Sequence, residues 1–164
     1  MSPAPTSNHK RISLRLSGAL YNYLKATKCE IFTAPFDVRL PRKSNDDKDI
    51  ITVLQPDLCV ICDPSKVEDK GCLGAPDIVI EILWPSNNKK ELKYKHEVYE
   101  EACVKEYWVV EPTEKAVQIY ILMDGWMDGK LLASGHLYAE DKDIVTTPIL
   151  PGFSLDLEEL FRNL

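Results

Sequence analysis

Two acids stand out because of the residues around them. Asp57 follows Pro56 in VLQPDLCVIC, near the start of an apolar run, and Glu81 lies inside DIVIEIL (77–83), which is otherwise almost wholly apolar. Near-continuous apolar runs mark strands covered on both faces, where a carboxylate is costly unless something compensates it. A hard divalent cation would do so. Mg²⁺ is typically held by one or two carboxylates, with waters and phosphate oxygens completing its shell. Such an ion can activate water and stabilise charge on a phosphodiester during hydrolysis. The plainer alternative is structural: Glu81 paired with a lysine, and Asp57 a strand-start residue in a QPD turn.

Either reading needs elements that bring the two acids together. Residues 53–62 and 77–83 read as successive strands, and antiparallel pairing places the start of the first beside the end of the second. Asp57, Cys59 and Ile61 then share one face, and Asp77, Val79, Glu81 and Leu83 share one face of the partner. Asp77 follows Pro76 as a second Pro-Asp pair, and is a candidate extra metal ligand as well as a strand cap. Asp63 reads as a turn residue before Pro64. A helix over 89–103, with Leu92, Val98, Tyr99 and Ala102 facing inward, offers Lys89, Lys90, Lys93 and Lys95 as cations that could orient water or a phosphate. Ser86, Asn87 or Asn88 could cap it.

The remaining elements frame that core. Thr6, Ser7 and Asn8 are good caps for a helix over 6–26, where Ile12, Leu16, Leu20 and Leu24 form one apolar stripe. Residues 30–40 read as a strand that Pro35 bends or marks as an edge. RKSNDDKD (42–49) reads as a loop, and 64–76 as a turn-rich connection. Strands follow at 106–110 and 115–122, a hairpin return at MDGWMDGK, and then further β segments and a short terminal helix. The order is α-β-β-β-α-β with β additions in one domain spanning 1–164. It is not a Rossmann pattern, and no Gly-rich phosphate loop is present.

The bulk composition narrows the function classes. Lys and Arg number 20 against 26 Asp and Glu, a formal net charge of −6. A bulk-electrostatic binder of nucleic acid is basic, so tight sequence-independent binding is disfavoured while a metal-assisted nuclease is not. The cysteines are Cys29, Cys59, Cys62, Cys72 and Cys103, an odd set with irregular spacing. With no secretory or spanning apolar segment, the expectation is a cytoplasmic protein with reduced thiols and no membrane contact. Cys59 and Cys62 form a CxxC, yet on a strand they point to opposite faces, so structural burial is expected over zinc binding. His9, His96 and His136 lack metal-ligand spacing and read as surface or capping residues. Tyr99, Tyr107 and Trp108 read as core, and Trp126 as exposed in its loop.

QPDLCVICD, GAPDIVIEILWPS and LKYKHEVYEEACVKEYWVVEP together resemble the Uma-type restriction endonuclease family of the PD-(D/E)xK nuclease superfamily. The resemblance runs over nearly the whole chain and is most specific from 55 to 112. It implies a restriction-endonuclease-like core with a mixed central sheet flanked by helices. It also implies that Asp57 is the Pro-Asp acid and Glu81 the second acid. The superfamily lysine normally lies two residues beyond the second acid, where this chain has Leu83; in this family its role passes to the following helix, pointing to Lys95. Relatives carry a further acidic segment before the region corresponding to SPAPTSNH, so a missing N-terminal segment is expected. The function implied is a Mg²⁺- or Mn²⁺-dependent endonuclease acting on DNA, with Asp57, Glu81 and Lys95 catalytic, and Asp57, Glu81 and Asp77 as candidate metal ligands. Two other readings compete. One is a catalytically inactive nucleic-acid- or protein-binding module on the same fold, favoured by the acidic charge and by Leu83. The other is a structural domain that forms a homodimer through its C-terminal hairpins, with Trp126 and Met127 at the contact.

Overall fold

The computed structural model describes residues 4–41, 51–87, 89–123 and 129–164. Its first element is α1 (Ser7–Leu24), capped by Thr6, whose side chain accepts the His9 N–H. Strand β1 (Glu30–Thr33) follows, then β2 (Asp37–Pro41), β3 (Ile51–Leu54) and β4 (Leu58–Ile61). A 3₁₀ turn at Pro64–Lys66 leads to the short strands β5 (Val67–Glu68) and β6 (Gly71–Leu73), and then to β7 (Ile78–Ile82). Next come α2 (Lys89–Glu101), β8 (Glu106–Glu111), β9 (Ala116–Met123) and β10 (Lys130–Tyr138). The last elements are β11 (Ile144–Thr147), β12 (Leu150–Asp156) and α3 (Leu157–Leu160).

The central sheet runs β1-β4-β7-β8-β9-β10. Only β7 and β8 pair in parallel, with α2 as their crossover, and the other neighbours are antiparallel. Along α1, β1, β4, β7, α2 and β8 this is the expected α-β-β-β-α-β order. Alternation along the strands divides the core into two layers. Leu58, Val60, Ile78, Ile80, Ile82 and Trp108 pack under the α1 stripe of Ile12, Leu16, Leu20 and Leu24, together with β11, β12 and α3. Cys59, Ile61, Val79, Tyr107 and Val109 pack on the other side against Val98 and Tyr99 of α2 and against the small sheet. No described helix is long and apolar enough to cross a membrane.

Three sequence expectations need correction. The stretches 30–40 and 53–62 are not single strands: each breaks, at Pro35 and at Pro56–Asp57, and the halves join different sheets. The outer halves, with residues from the supposed turn-rich connection, build a second sheet in the order β3-β2-β6-β5. Strands of two or three residues carry no readable alternation, and so they escaped detection. Finally, Cys29 and Cys62 form a disulfide, against the expectation of reduced thiols. They continue the antiparallel register Glu30↔Ile61 by one pair. Cys59 and Cys72 are free and buried, as expected of structural cysteines. The loops at 42–49 and around Trp126 and Met127 lie outside the described residues.

Candidate active site

The break at Pro56 positions the first acid. Leu58 pairs with Ile80, so Asp57 falls opposite Glu81, where the β4–β7 ladder has just ended. The Asp57 side chain replaces the missing backbone partner: its Oδ2 accepts the Ile82 N–H at 2.7 Å. Its carbonyl accepts the Ala34 N–H at 2.9 Å, fixing the turn to the end of β1.

Glu81 points from the middle of the sheet into the α2 layer and is 4% exposed. Helix α2 answers it with residues one turn apart on a single face. Tyr99 donates its hydroxyl to Glu81 Oε1 at 2.7 Å, and Lys95 Nζ lies 3.2 Å from Oε2. Burial pushes the Glu81 carboxyl above the ordinary glutamate range; the Lys95 charge opposes that shift and the Asp57 charge adds to it. Burial and the adjacent Glu81 likewise push the Tyr99 phenol up, so it is a firm hydrogen-bond donor. Tyr99 thus has a site role beyond its expected core role, which it also fills.

A cavity of about 100 Å³ opens beside these groups, lined by Asp57, Glu81, Lys95, Gln55, Glu91 and Trp84 among others. Sequence reasoning missed Gln55 and Glu91. Gln55 donates to Asp37 Oδ1 at 2.7 Å, tying the small sheet to the rim. Glu91 stands one helical turn before Lys95, with its Oε1 3.7 Å from Lys95 Nζ, and its Oε2 accepts from Asn87 at 3.3 Å. The i, i+4, i+8 spacing of Glu91, Lys95 and Tyr99 was the available signal.

His9 was also missed. It is not a surface residue: it is 8% exposed. Its Nε2 lies 3.1 Å from Asp57 Oδ1, though no hydrogen bond is aligned there. Its ring packs against Trp84 with centroids 5.1 Å apart. His96 and His136 lie elsewhere, beside Glu100 and Glu111.

Asp77 is not brought to the site. It precedes β7 at the end opposite Glu81, about 13 Å away along a strand rising about 3.3 Å per residue. Its Oδ2 accepts the Cys62 N–H at 2.7 Å and its Oδ1 meets Lys105 Nζ at 3.0 Å. That is a strand cap, and the metal-ligand expectation for Asp77 is withdrawn. Asp63 caps the 3₁₀ turn, as a turn residue should.

The described residues include no set of three His, Cys, Asp or Glu side chains that would cage a metal by themselves. A carboxylate pair such as Asp57 and Glu81 is the kind of donor set a hard cation takes when water and phosphate oxygens complete its shell. Apart from the unaligned His9 contact, Asp57 Oδ1 is uncommitted among the described residues.

A family model named Uma2, described as "Putative restriction endonuclease", matches residues 1–158. A relative from Synechocystis, "Uncharacterized protein slr1290", is 24% identical over 160 residues, covering 97% of this chain and 77% of that protein. A crystal structure from Anabaena variabilis, titled as a putative nuclease belonging to DUF820, superposes with a TM-score of 0.71 at 18% identity. The match covers 98% of this chain and 84% of that one, and it shows the shared fold.

Proposed function

Since the chain belongs to the Uma2 family of restriction-endonuclease-like nucleases, we propose that it is a metal-dependent endonuclease hydrolysing phosphodiester bonds in DNA. The observation that carries this reading is the pairing of Asp57 with buried Glu81 at one cavity, with Lys95 turned onto the same carboxylate. A bound Mg²⁺ or Mn²⁺ supplies Lewis-acid charge and a more acidic water. The chain's own residues do the rest. Asp57 and Glu81 present carboxylate oxygens from adjacent strands, held by the Ile82 N–H and the Tyr99 hydroxyl. Lys95 opposes the rise that burial imposes on the Glu81 carboxyl and stands where an ammonium can steady an attacking water or a phosphate oxygen. Hydrolysis of this kind depends on charge placement and positioning.

One observation favours the catalytically inactive alternative: Lys95 and Tyr99 together satisfy Glu81 without any ligand. Incubating supercoiled plasmid and single-stranded DNA with the protein in Mg²⁺ or Mn²⁺ separates the two readings. The nuclease reading expects metal-dependent cleavage that falls by roughly 10²-fold or more in Lys95→Ala, a typical cost of removing one positioned charge or proton-transfer group. Absent cleavage leaves the binding module, and cleavage that is equal in the variant removes Lys95 from the chemistry.

A further inference from the structure

A second, larger hollow adjoins the site. It measures about 490 Å³ and shares two lining residues, Asp57 and Trp84, with the catalytic cavity. Lys10, Ser13, Leu14 and Ser17 of α1 form one wall, and Thr33 and Ala34 at the end of β1 form the other. Its chemistry differs from that of the rest of the molecule. Lys10, Arg11, Arg15, Lys25 and Lys28 are basic, and no acid occurs before Glu30, in a chain whose formal net charge is −6. Lys10, Arg11 and Arg15 lie on α1, which carries no acid, so the helix is locally cationic on an acidic protein, and Lys10 is its basic residue at the hollow. Arg15 is engaged with the Leu160 and Arg162 carbonyls, whereas Lys10 is exposed and lines the hollow.

Three further features suit a nucleic-acid strand. Trp84, at the junction of the two cavities, offers an aromatic surface to both. His9, buried beside Asp57, has an Nε2 with no aligned hydrogen bond, at the point where a strand would cross from one cavity to the other. Leu14, 74% exposed beside the hollow, adds an apolar surface for a sugar or base. A cationic groove with an aromatic platform is how single strands are held without base-specific readout. A hollow of this volume is the size of a small-molecule pocket and has room for a nucleotide of a single strand.

We propose that the groove between α1 and the end of β1 carries single-stranded DNA flanking the scissile phosphate, with a base stacked on Trp84 and a phosphate at Lys10. The proposal rests on the nuclease reading for the word "scissile", but its test does not. A fluorescein-labelled oligothymidylate of about eight nucleotides is titrated with the full chain in Ca²⁺, and anisotropy is followed. Parallel titrations use a duplex of the same length and the variants Lys10→Ala, Ser17→Trp and Trp84→Leu. Single strand is expected to bind more tightly than duplex. Ser17→Trp, which fills the groove, and Trp84→Leu are each expected to weaken binding about tenfold, the scale of one lost base stack. Lys10→Ala should lower the slope of log affinity against log salt by about 0.7, the value for one phosphate on a single strand. Mn²⁺ affinity in Ser17→Trp and Lys10→Ala should match the parent, which also verifies their fold. Tight binding without cleavage in Mg²⁺ keeps the groove and removes the nuclease reading. Cleavage with equal binding by Ser17→Trp and an unchanged salt slope in Lys10→Ala removes the groove and keeps the nuclease. A parent that prefers duplex, or binds no single strand, overturns the proposal outright.

Discussion

Glu81 is a buried acid whose environment works against its charge, and that has a measurable consequence. Its carboxyl is pushed up chiefly by burial, with Lys95 pulling the other way and Asp57 adding to the rise. A raised folded-state value means the fold favours the protonated form. That contribution is complete below the unfolded glutamate value and is lost as pH rises through the folded value. Metal-free Glu81→Gln is therefore expected to melt a few degrees above the parent at neutral pH, with the gap closing toward pH 4. A gap that widens on acidification would contradict this. Lost activity with gained stability is the usual signature of a group retained for function. Glu106 is a buried acid of another kind, with no exposure, no ion pair among the described residues, and hydrogen bonds from Thr147 and the Trp108 ring. Glu106→Ala strands both donors in the core and should cost about 2–3 kcal/mol by urea unfolding, while Glu106→Gln, which can serve both, should cost clearly less. That Glu81 needs a partner was legible from sequence, because a carboxylate in an apolar run demands one, whereas Lys95 was singled out among Lys89, Lys90, Lys93 and Lys95 only by the family resemblance. His9 was not legible, because its partner Asp57 is distant in the chain and no spacing rule joins them.

At the scale of elements, the site is a product of interruptions. Pro56 ends the β3 half of what looks like one strand, and the ladder to β7 resumes only at Leu58, leaving Asp57 free to turn its side chain onto Ile82. The approach of Asp57 to Glu81 followed from the sequence only on the premise that the two apolar runs pair antiparallel, as β4 and β7 do. The small sheet did not follow, since its strands are short and one pair within it, β2 with β6, is parallel and distant in sequence. The disulfide was also hidden: Cys29 and Cys62 become neighbours only once the β1–β4 register is known. Its loop spans a separation of 33 residues. By loop-closure entropy, the Cys29→Ser, Cys62→Ser double variant should lose about 3–4 kcal/mol of stability. Equal urea midpoints for parent and variant under non-reducing conditions would show that the bridge contributes nothing.

For the whole molecule, two layers packed on one mixed sheet fix how the site is shared. Helix α1 reaches Asp57 from one side through His9, and α2 reaches Glu81 from the other through Lys95 and Tyr99. The segments β11, β12 and α3 close the α1 layer, where Arg15 holds the Leu160 and Arg162 carbonyls at 2.9 and 2.8 Å. This architecture was largely readable, because long periodic helices and apolar strands dominate it. The uneven distribution of charge within the acidic total gained meaning only once the cationic helix was seen beside the acids. The nuclease reading requires Asp57 and Glu81 to hold a divalent cation jointly. Calorimetric titration of Mn²⁺ into the parent, Asp57→Asn and Glu81→Gln addresses it most directly, with melting curves to establish that all three are folded. The expected result is one site in the parent and its loss in each variant. A folded parent that binds no Mn²⁺, or variants that bind as the parent does, would contradict it.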